Sequence, residues 1–78
     1  MSITLKDLKP GERGRIVRLD HRGTLGQRMA DMGLIRGSLV EVKRIAPLGD
    51  PMEVQVRGYR LSLRKAEAAG VLVERIEA

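Results

Sequence analysis

Apolar and polar residues alternate with a period of two in five places: residues 15–19, 39–45, 52–56, 59–63 and 71–76. That period sends successive side chains to opposite faces of a β-strand. In the first run Val17 and Leu19 share a face. In the second, Val40 and Val42 point inward while Glu41 and Lys43 point outward. The phase then slips at Arg44-Ile45, which predicts a bulge or bend. The third and fourth runs alternate strictly, and their phase puts Tyr59 in the core with Leu61 and Leu63. Only Arg57-Gly58 separates them, so they form a tight hairpin in which Gly58 supplies a positive φ.

One stretch, residues 24–34, follows the helical period instead. Leu25, Met29 and Met32 stand at i, i+4 and i+7 and line one side of a helix. Thr24 and Gln27 have the spacing of a capping box. Gly33 falls where a left-handed C-terminal cap belongs, and Leu34 then folds back onto the last turn. Gly26 inside this helix costs up to about 1 kcal/mol against alanine and frays its start. A second helical fragment, residues 64–69, is barely two turns and ends at Gly70. These elements predict a mainly β domain. Five short antiparallel strands curl into a small SH3-like barrel, with one helix after strand one and a helical turn before strand five. An OB-type barrel is the near competitor, but its helix comes between later strands.

At 78 residues the chain has room for one domain, residues 1–78. So short a chain leaves a thin core and little depth for a catalytic pocket. There are no cysteines, hence no disulfide framework or thiolate metal site, and a reducing cytoplasm is the natural location. The first residues lack the apolar core of a signal peptide, and the longest apolar run is Val71-Leu72-Val73, so direct membrane insertion is not expected. Fifteen basic residues against ten acidic give a net charge of +5, and eleven of the fifteen are arginine. That excess biases the chain toward acidic partners without naming one. The single aromatic is Tyr59, so the core must be aliphatic.

The segment Ile45-Ala46-Pro47-Leu48-Gly49-Asp50-Pro51 interrupts the alternation. Neither proline can donate to a ladder, so one strand stops before Pro47 and the next starts after Pro51. Gly49 and its neighbouring N–H groups could form an anion nest. The stretch lacks the glycine density and the following Lys-Ser/Thr of a phosphate cradle, so a rigid corner is the better reading.

The run "RMADMGLIRGSLVEVKRIAPLGDPMEVQVRGYRLSLRKAEAAGVLVE" resembles the FeoA family of bacterial ferrous iron transport proteins. "DLKPGERGRIVRL" is similar to the family's opening strand and "DMGLIRGSLVEV" to its helix-to-strand join. "APLGDP" and "RGYRLSLRKAEA" resemble its middle loop and following hairpin. Arg22-Gly23, Gly26 and Met29 depart from the usual pattern around the helix. The resemblance implies an SH3-like barrel without catalysis of its own. It also implies a cytoplasmic partner of FeoB, the membrane ferrous iron transporter with its own GTPase domain, which this chain would dock on and modulate. Similar domains are fused to metal-dependent transcriptional repressors. A regulatory domain of that kind is therefore the rival reading, disfavoured by a chain that starts just before the domain and carries no DNA-binding helices.

Candidate chemistry is sparse. His21 is the only histidine, and with Asp20 beside it a metal would still want two or more further ligands. A solvated loop histidine is expected, and no metal or cofactor site. Ser2, Ser38 and Ser62 have no recognisable His–acid partners, so no enzyme is expected. Arg13, Arg15, Arg18 and Arg22 crowd the first strand, but stacking aromatics are missing, so nucleic acid is not the expected partner. Surface recognition remains. Leu25, Arg28, Met29, Leu34 and Arg36 are the expected partner-binding residues, with Leu25 at the frayed helix start as the leading contact and Met29 and Met32 leaning toward core. Pairing through an open sheet edge is a second route, and a weak homo-oligomer is compatible with either.

Overall fold

The two-residue turn Arg57-Gly58 sets the register of the most regular part of the molecule. Both residues have positive φ, 52° and 83°, as a type I′ turn requires. The structure, a computed structural model, describes residues 3–77. On either side of the turn lie β4 (Met52–Val56) and β5 (Tyr59–Leu63), paired from Val56↔Tyr59 to Met52↔Leu63. Along β4 the pattern is strict: Met52, Val54 and Val56 are buried, and Glu53 and Gln55 are half-buried.

The other strands are β1 (Ile3–Thr4), β2 (Arg13–Leu19), β3 (Leu39–Ile45) and β6 (Val71–Ile76). All pairings are antiparallel, in the order β1-β6-β2-β3-β4-β5. The expected fold class therefore holds with one strand more than the five predicted. The extra strand, β1, pairs two residues with β6 (Ile3↔Val73, Thr4↔Leu72), too few to leave an alternation signal. The sheet wraps round on itself to near-equal extents of 29 × 25 × 25 Å.

Two bulges bend it. In β3 the register slips between Val42 and Arg44, one residue before the predicted position, and Val40 and Val42 are buried as expected. In β2 it slips between Ile16 and Arg18, which the alternation did not reveal. This corrects the expected placing of Val17 and Leu19 on one face. Ile16 is buried ahead of the bulge, Val17 is the extra, half-buried residue, and Leu19 rejoins the core side beyond it.

Helix α1 (Gly23–Asp31) follows β2, and the short α2 (Lys65–Ala68) precedes β6. The predicted capping box of α1 does not form. Arg22 occupies the N-cap without a side-chain bond, and Gln27 donates instead to Asp31, one turn on, at 2.9 Å. The C-terminus behaves as predicted. Gly33 has φ +100°, and the Leu34 N–H donates to the Met29 carbonyl at 3.0 Å, which carries Leu34 back into the core. The core is aliphatic, running from Leu5 and Leu8 through Ile16, Met29 and Leu34 to Val71 and Val73.

The Pro47–Pro51 segment is a corner. Asp50 accepts the Lys65 N–H through Oδ1 at 2.9 Å, which ties the corner to the start of α2.

Candidate functional site

The sequence singles out five residues for partner contact, and the fold divides them. Arg28 and Arg36 are exposed, and Leu25 is half-buried and packs against the core. Met29 and Leu34 are 1% and 0% exposed, so neither reaches a partner while the chain is folded. Together they are the plug by which α1 is held on the sheet. Met32 goes the other way: expected in the core, it is 36% exposed. The cause is local, because α1 ends at Asp31 and Met32 leaves the helix with φ −85° and ψ 0°. Its side chain no longer follows the line of Leu25 and Met29.

Tyr59 is the second displacement. Its register keeps it in phase with Leu61 and Leu63, yet exposure falls along β5 from 68% at Tyr59 through half-buried Leu61 to 2% at Leu63. The hairpin tip runs past the part of the sheet that α1 covers. Tyr59, Leu61, Met32 and Asp31 therefore line a shallow depression of about 240 Å³ between the end of α1 and β5. β5 is also the last strand of the sheet, with β4 as its one strand neighbour. An apolar face beside an open strand edge suits a macromolecular partner better than a small substrate.

His21 is not a solvated loop residue. Its Nε2 lies 2.7 Å from the Glu67 carbonyl, and the adjoining Asp20 N–H donates to the Gly70 carbonyl at 2.7 Å. A Cβ on Gly70 would lie 2.5 Å from that same Nε2, and one on Gly26 would strike the His21 backbone carbonyl. Histidine and two glycines thus clamp the end of β2 and the start of α1 against α2. Sequence reasoning missed this function. Its one trace was Gly26, inside a helix where glycine is costly; Gly70 follows α2, where glycine is ordinary and gave no signal. Asp20 is held by Arg18, with Nε and Oδ1 at 2.7 Å. Among the described residues no group of three or more His, Asp or Glu side chains converges to hold a metal ion. Ser62 is exposed on β5, Ser38 is half-buried in the turn before β3, and Ser2 lies outside the described residues.

One carboxylate stands out electrostatically. Asp7 accepts the backbone N–H of Thr4 at 3.0 Å and its hydroxyl at 3.2 Å. The backbone hydrogen bond leads in holding the Asp7 pKa below its ordinary value of 3.8.

A family model described as the FeoA domain matches residues 3–75. A fusion protein of Fe(2+) transport protein A with the Fe(2+) transporter FeoB, from Porphyromonas gingivalis (strain ATCC BAA-308 / W83), is 36% identical over 74 residues. The match takes in 95% of this chain but 9% of that protein. The solution structure of a FeoA protein from Chlorobium tepidum superposes with a TM-score of 0.91 at 37% identity, covering 96% of this chain and 71% of that one. A zinc-complexed FeoA from Stenotrophomonas maltophilia, described as a procaryotic SH3 domain protein, gives 0.82 at 26% identity, with 92% and 89% covered.

Proposed function

The chain belongs to the FeoA family, and we propose that it is a non-enzymatic accessory of ferrous iron uptake that docks on the cytoplasmic side of the transporter FeoB. The observation that carries this is the relative in which the same domain and FeoB are one polypeptide. Covalent linkage raises the effective concentration of two modules that act together, so fusion favours a pair that meets. The exposed Met32–Tyr59–Leu61 face supplies a surface for that meeting. Leu25 and Arg28, on the helix that ends at this face, are secondary contacts, and exposed Arg28 steers an acidic surface.

Docking modulates transport by preference. If the face fits one conformation of the transporter's GTPase domain better than another by about 1.4 kcal/mol, the equilibrium between them shifts tenfold. The test is co-purification of the transporter's cytoplasmic domain on the immobilised chain, followed by GTP hydrolysis with and without it. Retention and a changed turnover rate are expected, and both should be lost with Met32→Asp. A wild-type chain that retains nothing at low salt refutes the proposal.

A further inference from the structure

We infer that the outer face of β2 and β3, with the turn that joins α1 to β3, binds an acidic extended peptide segment that carries an aliphatic side chain. This surface is separate from the Met32–Tyr59 face. At its centre are two exposed aliphatics, Ile35 at 39% and Leu39 at 47%. Arg15 stands directly across from Leu39 in the β2–β3 register. Ile35, Arg36, Leu39 and Arg57 line one depression of about 600 Å³, and Arg13 joins Leu39 and Arg57 in an adjoining one of about 200 Å³.

None of the four arginines, Arg13, Arg15, Arg36 and Arg57, forms a close ion pair among the described residues, although Glu41 stands across from Arg13 and Glu74 across from Arg15 in the sheet register. Among the described residues, the arginine ion pairs engage Arg18, Arg44, Arg60 and Arg75 instead. Of the two acids, Glu41 is already engaged 3.1 Å from Lys43 Nζ. Arg15 donates to the Gly37 carbonyl at 3.1 Å, which fixes its stem and leaves its charge. Four arginines against two carboxylates leave a net positive charge around an exposed aliphatic pair, which an anionic, partly apolar ligand would cover favourably. All four are arginine, whose planar fork matches carboxylate oxygens in pairs.

The groove is set before binding. Ile16 N–H donates to the Ser38 carbonyl at 2.9 Å and Gly37 N–H to the Ile16 carbonyl at 2.7 Å, pinning the turn to β2. A fixed groove lowers the ordering cost of taking up a ligand. Nucleic acid fits poorly, because the chain's one aromatic, Tyr59, belongs to the core-phase face of β5 and leaves no stacking platform here. A bilayer fits poorly because the apolar area here is two aliphatics, Ile35 and Leu39, at 39% and 47% exposure, too little to anchor in lipid.

The test is an amide chemical-shift titration of the full chain with a synthetic alternating Glu-Leu pentapeptide, its Gln-Leu counterpart, phosphatidylglycerol vesicles and a DNA oligonucleotide. The Glu-Leu peptide should shift residues 35–39 and 57, and affinity should fall several-fold between low salt and about 0.15 M. The double variant Arg13→Gln/Arg57→Asn should lose the response while folded, since Asn-Gly suits the type I′ turn. No response at low salt, equal binding of the Gln-Leu peptide, or an arginine-dependent response to vesicles or DNA in place of the peptide overturns the inference. So does a folded double variant that binds as wild type does. None of these outcomes bears on capture of the transporter domain by the other face.

Discussion

Replacing Gly26 by alanine separates what the helix wants from what the fold permits. In a helix interior, alanine is better than glycine by up to about 1 kcal/mol, so propensity alone predicts a more stable protein. Gly26 is buried, however, and its missing Cβ points back at the segment that precedes the helix. A Cβ there would overlap the His21 carbonyl oxygen and lie 2.9 Å from the carbonyl carbon. The obstacle is backbone, which cannot swing aside as a side-chain tip would. His21 is itself held by its Nε2 against the Glu67 carbonyl at 2.7 Å and by the neighbouring Asp20 N–H bonded to Gly70. Overpacking costs about 1–3 kcal/mol, and a clash with fixed backbone falls in the upper part of that range, about 2–3 kcal/mol. After the propensity gain is subtracted, Gly26→Ala should be destabilised by about 1–2 kcal/mol. For a domain of this size that lowers Tm by about 5–15 °C. Thermal and urea unfolding followed by circular dichroism would measure it. An unchanged or raised Tm would refute the clamp and leave Gly26 as a tolerated helix defect.

The same clamp predicts that Gly70→Ala expels the His21 ring, because its Cβ would lie 2.5–2.8 Å from three ring atoms. Tm should fall, the His21 ring resonances should move, and His21→Ala should cost little more in that background, since the two changes break one contact. Acid unfolding should register Asp7. Its folded-state pKa is below the unfolded value of 3.8, so its contribution is fully present above that pH and is lost as pH falls through the folded value. Asp7→Asn should flatten that acid limb and leave stability near pH 7 lower than wild type, measured by urea titration across pH.

Much of the fold was legible because period-two alternation survives where a strand is regular. β4, β5 and β6 fall where the pattern put them, and Arg57-Gly58 closed the hairpin as its sequence required. The failures share a physical cause: alternation reports phase and carries no information on what covers a face. Tyr59 is in phase with Leu63 and still 68% exposed, because the described residues leave its end of β5 largely uncovered. Val17 broke the phase of β2 through a bulge that no local signal announced. The end of α1 was visible in Gly33, but the turn of Met32 away from the helix line depends on φ and ψ that several residues could adopt. The clamp of His21 against Gly26 and Gly70 was hidden, because its far side, the Glu67 carbonyl, lies 46 residues from His21 in sequence. Candidate contacts chosen by helical phase therefore included Met29 and Leu34, which build the fold, and omitted Tyr59, which stands outside it.

The central claim is that this chain acts through its outer surface, at the apolar face between the end of α1 and β5. Isothermal titration of the transporter's cytoplasmic GTPase domain into wild type and Tyr59→Asp tests it most directly. Tyr59 is 68% exposed, so the substitution should leave Tm nearly unchanged. The account predicts measurable binding by wild type and a loss of at least about tenfold, or about 1.4 kcal/mol, in the variant. Equal affinities for the two folded proteins, or no heat of binding from wild type, would contradict it.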